Sequence, residues 1–76
     1  MRIVSGMTDT LNSRAAANIR AELARRRITQ EEFADKLRIG RTTLTTVLSG
    51  ETKITLDRLE SIAAALEVEP AKLLND

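Results

Sequence analysis

The side chains Arg41, Thr42, Thr45, Thr46 and Ser49 recur at helical spacing along one short stretch. All are short or hydrogen-bonding, and none is acidic. Threonine in a helix costs up to ~0.7 kcal/mol relative to alanine, so a helix selected only for stability would carry Glu, Lys and Ala on its open face. Short hydroxyl and methyl groups suit a different task. They allow a helix to come close to base edges and thymine methyls in the major groove, and an arginine at the helix start can fork onto guanine. The plainer reading is neutral drift on a solvated face.

Little else in the chain can do chemistry. Seventy-six residues make one domain, and Cys, His, Trp and Tyr are absent. That removes disulfides, thiolate or imidazole metal sites and every mechanism that needs them. An enzyme would have to converge Glu31, Glu32 and Asp35, which share one helix at capping and solvated positions, so the chain is not read as an enzyme and no metal or cofactor is expected. No apolar run approaches the ~18 residues of a membrane span, and no secretory signal is evident. Absence of cysteine fits a cytoplasmic protein. The net charge of +1 conceals a division: residues 1–53 hold ten basic and six acidic side chains, a net +4, whereas residues 54–76 hold two and five, a net −3. A basic front suits approach to a polyanion, although short segments also fluctuate by several charges without consequence.

The elements that must position these groups follow from period and punctuation. Residues 1–9 lack a helical or strand period and read as a flexible tail, with Met7 an alternative start to Met1. The folded domain spans 10–76. Leu11, Ala15, Ile19 and Leu23 mark a first helix to about Arg26, capped by Asp9 or Thr10. Arg25-Arg26-Arg27 in its last turn either complements the helix dipole or reaches phosphate. Ile28-Thr29-Gln30-Glu31-Glu32-Phe33 carries a capping box, Thr29 with Glu32, inside a hydrophobic staple, Ile28 with Phe33, and so opens a second helix. The β-branched run 42–47 resembles a strand by composition. Alternation mixes polar and apolar side chains on both faces, whereas helical spacing gathers Leu44, Val47 and Leu48, so a third helix runs from Arg41 to about Ser49. Ile54-Thr55 repeats the staple and cap before a fourth helix marked by Leu56, Leu59, Ile62, Ala63 and Leu66. Pro70 opens a short fifth with Leu73 and Leu74. The expected fold is all-α and compact, with five helices and a helix-turn-helix over about residues 29–49.

The stretch ITQEEFADKLRIGRTTLTTVLSGETKITLDRLESIAAALEVEPAKLL resembles the lambda-repressor-like, or Xre/Cro-type, helix-turn-helix family of DNA-binding domains. With the first helix, the resemblance covers about residues 11–74. It implies that Gln30, at the start of the second helix, binds a phosphate, where unpaired N–H groups already favour an anion. Arg41, Thr42 and Thr46 match positions that read bases, with Thr45 a neighbour. Gly40, Thr43, Ser49 and Lys53 match positions near the sugar-phosphate backbone, and Arg25 joins them if the arginine run touches phosphate. Many members place glycine where Arg38 and Glu67 stand. A residue with Cβ costs ~1 kcal/mol in the left-handed conformation expected there, so these turns are strained or differently shaped. Leu48 stands where relatives often carry a Glu paired with an Arg at the position of Leu23, so an apolar contact replaces that ion pair.

The implied function is that of a sequence-specific transcriptional regulator. It would be a phage-type repressor or Cro-like protein in the cytoplasm of a bacterial or phage-infected cell, bound to a double-stranded DNA operator without a small-molecule effector. A restriction-modification controller, an antitoxin, or an interaction module that has lost DNA binding are the alternatives. One recognition helix reads only a few base pairs, so a homodimer is expected, joined through Leu73, Leu74 and Val68.

Overall fold

The computed structural model describes residues 2–75, with side chains described from Leu11 to Asn75. Four α-helices, α1 (Arg2–Arg25), α2 (Gln30–Leu37), α3 (Arg41–Ser49) and α4 (Leu56–Leu66), precede a 3-10 turn over Pro70–Leu74. The expected five-helix count is therefore corrected to four. The last element is only five residues long and opens with Pro70. It closes i→i+3 bonds, Lys72 N–H to Glu69 O (2.9 Å) and Asn75 N–H to Lys72 O (3.4 Å), the tighter winding that short terminal pieces adopt. The first helix also differs from its expectation: the backbone is helical from Arg2, where the apolar period predicts a tail up to residue 9. Residues 2–9 contain no proline, and a helix nucleated downstream extends by one bond for each residue fixed. The start-codon reading of Met1 lies outside the described residues, and the capping readings of Asp9 and Thr10 lie outside the described side chains.

The local signals explain the remaining boundaries. Glu32 N–H donates to Thr29 Oγ1 (3.0 Å) and Thr29 N–H to Glu32 Oε1 (2.9 Å), the reciprocal bonds of a capping box. Thr55 caps α4 through a bond from Arg58 N–H (3.1 Å). In α3, burial decides against propensity: Leu44, Val47 and Leu48 all enter the core, which a strand could not achieve from these positions. Phe33, Ile19, Leu44, Leu48, Ile62, Leu66 and Leu73 are the largest fully buried side chains, so α1, α2, α3, α4 and the 3-10 turn share one core. Leu23 and Leu48 both lie in it, as the apolar replacement of an ion pair requires.

Three of the joints between helical elements are left-handed without glycine. Arg27, Arg38 and Glu67 have φ of 58°, 61° and 60°. Arg38 and Glu67 are the C-caps of α2 and α4, where relatives favour glycine, and each therefore carries backbone strain. Gly50, at φ 84°, closes α3 without that penalty.

Candidate nucleic-acid interface

The open face of α3 forms a ridge with a recess on each side. Gly40 is its N-cap, with φ −68° and ψ 148°, a conformation any residue adopts. A Cβ there would meet only Thr43 Oγ1, at 3.8 Å, so nothing within the fold requires glycine at this point. Arg41, Thr42 and Thr43 follow, all exposed. The first turn of α3 thus offers unpaired backbone N–H groups with no acidic side chain.

The hydroxyls further along are already engaged. Thr46 Oγ1 donates to Thr42 O (2.9 Å) and Ser49 Oγ to Thr46 O (2.7 Å), while Ser49 Oγ accepts from Glu51 N–H (3.2 Å). Thr46 is half-buried, so its methyl and a lone pair remain for an incoming group. Ser49 mainly closes the helix. Thr45 Oγ1 donates to Gln30 Oε1 (3.4 Å), which leaves both N–H groups of the Gln30 amide available as donors at the first residue of α2.

On one flank of the ridge, a notch of about 320 Å³ is lined by Thr42, Thr43, Thr46, Lys53, Thr55 and Arg58, among others. On the other flank, an open recess is lined by Arg20, Gln30, Thr45, Leu48 and Ser49. The first recess holds two cationic side chains, Lys53 and Arg58, the second holds one, Arg20, and neither holds an acidic one. Of the residues expected at the interface, Gln30, Thr42, Thr43, Thr45, Thr46, Ser49 and Lys53 line these two recesses. Arg25 does not. It pairs with the buried carboxylate of Glu22, whose other oxygen accepts from Arg26 Nε (3.2 Å), and Lys72 Nζ lies 4.0 Å away. Arg25 and Arg26 thus share the Glu22 carboxylate, while the Arg25 side chain stays largely exposed.

Sequence reasoning missed Arg58 and Arg20. Arg58 sits three residues after the Thr55 cap, and a cation in the first turn of a helix opposes the dipole, a signal that it serves something outside the helix. Arg20 donates to the carbonyl of Leu48 in the last turn of α3, a contact that spans twenty-eight residues and leaves no local pattern. The residues expected at a dimer interface differ in exposure. Leu73 is 1% exposed within the domain, and Val68 and Leu74 are half-buried against the core.

Among the described residues, no His, Cys, Asp or Glu group is arranged to hold a metal ion, and no helix is long and apolar enough to cross a membrane. Comparison with curated proteins and with solved structures yields no match. A model of the helix-turn-helix family matches residues 19–73, from the middle of α1 through the last turn, and so takes in the whole of α2, α3 and α4 together with both recesses. The chain belongs to the Xre, lambda-repressor-like helix-turn-helix family of DNA-binding regulator domains.

Proposed function

We propose that this protein is a sequence-specific transcriptional regulator that inserts α3 into the major groove of double-stranded DNA. The observation that carries the reading is the symmetry of the ridge: a helix face free of acidic groups, with a cation-bearing recess on either side. A helix lying in the major groove has a phosphate strand along each flank, and this arrangement meets both strands. Arg41 and Thr42 are the principal base readers. Thr46 contributes its methyl, and Thr45 acts by orienting the Gln30 amide toward a phosphate. Gly40, Thr43, Lys53 and Ser49 border the backbone, with Arg58 and Arg20 added to them, and Arg25 belongs to the fold.

Two copies read one operator. A single α3 distinguishes too few base pairs for the ~10³ to 10⁷ preference over random DNA that regulators show. We assign the contact between copies to a largely apolar groove lined by Leu11, Ile54, Leu56 and Leu74, which Asn12 and Lys53 border. There Leu56 is 76% and Leu11 43% exposed, the two large hydrophobic side chains left open among the described residues. Leu73, now in the core, is not part of it. A repressor or Cro-like role in a bacterial or phage-infected cytoplasm is the simplest for a domain of this kind.

Selection of bound fragments from a random duplex pool, followed by titration at several salt concentrations, tests the function. If Arg20, Lys53 and Arg58 each neutralise one phosphate, log K falls with log [salt] at a slope of about −2.7 per protomer. A palindromic consensus bound by two copies about 34 Å apart supports the dimer. A weak, salt-independent interaction with no consensus would remove DNA reading altogether and favour an interaction module. A non-palindromic consensus bound by one copy would remove only the dimer.

A further inference from the structure

Asparagine is a poor helix former, yet α1 carries two, Asn12 and Asn18. Each directs its side chain at backbone far away in the sequence. Asn18 Nδ2 donates to Leu73 O (2.8 Å) and Asn75 O, and thereby fastens the 3-10 turn. Asn12 Nδ2 donates to Gly50 O and Thr52 O (3.3 Å each), while its Oδ1 accepts from Ile54 N–H (2.8 Å). The assignment of the amide is unambiguous, because the partners are two carbonyls and one N–H. One side chain thus satisfies three backbone groups of the segment 50–54, which joins α3 to α4 and carries Lys53 at its exposed crest.

We propose that Asn12 is a positioning residue for DNA binding: through its three bonds it holds segment 50–54 in the shape that presents Lys53 to a backbone phosphate beside α3. The inference rests on the DNA-binding reading above. The loop opens at Gly50, whose lack of a Cβ gives it the widest backbone freedom of any residue. Among the described residues, the bonds of Gly50 O, Thr52 O and Ile54 N–H outside helices all run to Asn12. Without them the segment keeps, between its helix ends, only the Glu51 N–H bond to Ser49 Oγ and the packing of Ile54 against the core, and the backbone that carries Lys53 gains freedom.

Asn18 provides the matched control, since it makes the same kind of bond from the same helix to an element that lines neither recess. The test measures binding of the intact chain to its selected duplex over a salt series for wild type, Asn12→Ala, Asn18→Ala, Lys53→Ala and the double variant Asn12→Ala/Lys53→Ala. Folding is checked by circular dichroism. Asn12→Ala should reduce affinity about fivefold, the effect of losing one surface charge contact, and flatten the salt slope by about 0.9. Asn12→Ala should have little effect once Lys53 is already alanine. Asn18→Ala should lower thermal stability and leave the slope unchanged. If Asn12→Ala does not fold, Asn12→Ser, which keeps a polar group but lacks the amide pair, takes its place, and accelerated hydrogen exchange at Ile54 N–H reports release of the loop. Wild-type binding with an unchanged slope in the Asn12 variant, or an equal change in the Asn18 variant, overturns the assignment. Failure of the wild type to bind any duplex overturns the DNA reading itself, and the assignment with it.

Discussion

Replacing Glu67 by glycine should stabilise the protein, and by more than replacing Arg38 does, although the two residues have nearly the same backbone geometry. Both occupy the left-handed C-cap, at φ 60°, ψ 41° and φ 61°, ψ 43°, and both donate their N–H to the last turn of the preceding helix. An L-residue in that conformation costs about 1–2 kcal/mol. Glycine relieves the strain but loses about 0.4–1 kcal/mol through the greater freedom of the unfolded chain. The net gain is about 0.5–1 kcal/mol at either site. Charge separates them. Glu67 places an anion at the negative end of α4, and Arg38 places a cation at the negative end of α2, each worth about 0.3–1 kcal/mol with opposite sign. Glu67→Gly should therefore gain about 0.8–2 kcal/mol and raise the melting temperature by roughly 3–16 °C, whereas Arg38→Gly should be nearly neutral. Glu67→Gln isolates the charge effect at about 0.3–1 kcal/mol. Reversible urea unfolding followed by circular dichroism, at low salt and again near ~1 M salt where the Debye length is about 3 Å, measures both parts. The difference between the two glycine variants should shrink at high salt. Equal effects at low salt, or destabilisation by Glu67→Gly, would refute the reasoning.

Four further outcomes are expected. Arg41→Ala should cost about 1–3 kcal/mol on the selected site and much less on scrambled DNA, as read by titration at fixed salt, because a base contact carries sequence information. Gln30→Ala should weaken both duplexes about equally and leave the salt slope nearly intact, since an uncharged amide on phosphate releases no counterion. Gly40→Ser should raise thermal stability by a few tenths of a kcal/mol by supplying a capping hydroxyl, yet lower DNA affinity if, as proposed, the sugar-phosphate backbone passes through the open space above Gly40. Unchanged affinity would mean that the backbone passes elsewhere. Glu22→Ala should cost about 1–2 kcal/mol in urea unfolding, at the lower end for charged hydrogen bonds because its partners Arg25, Arg26 and Lys72 are exposed and rehydrate.

What was legible in the sequence was what depends on neighbours a few residues apart. The Thr29–Glu32 box, the Thr55 cap and the gathering of Leu44, Val47 and Leu48 all act within one or two turns, so their spacing predicts them. The left-handed joints at Arg38 and Glu67 were legible through the glycine that relatives carry there. The side chains that fix one element against another were not. Asn12, Asn18 and Arg20 bond to carbonyls 28 to 57 residues away, and nothing in their own surroundings distinguishes them from other polar residues on a helix surface. Leu73 was misplaced for a related reason. A short apolar pair at the end of a pattern indicates burial without saying against what, and here the domain's own core takes Leu73 while Leu56, inside a regular helical stripe, stays open.

The long reach of Asn12, Asn18 and Glu22 also sets the order of events on the ribosome. The residues of α1 emerge before the groups that hold them, which are α3, through Leu48 O, then segment 50–54, and last the stretch from Lys72 to Asn75. At about 5–20 residues per second, roughly 3–10 s separate the end of α1 from its last partners, and only then is the cover over Ala15, Ala16, Ile19 and Leu23 complete. The docking of α1 is therefore completed late. A nascent chain stalled before Pro70 would leave this apolar stripe open to a chaperone or to another unfinished copy.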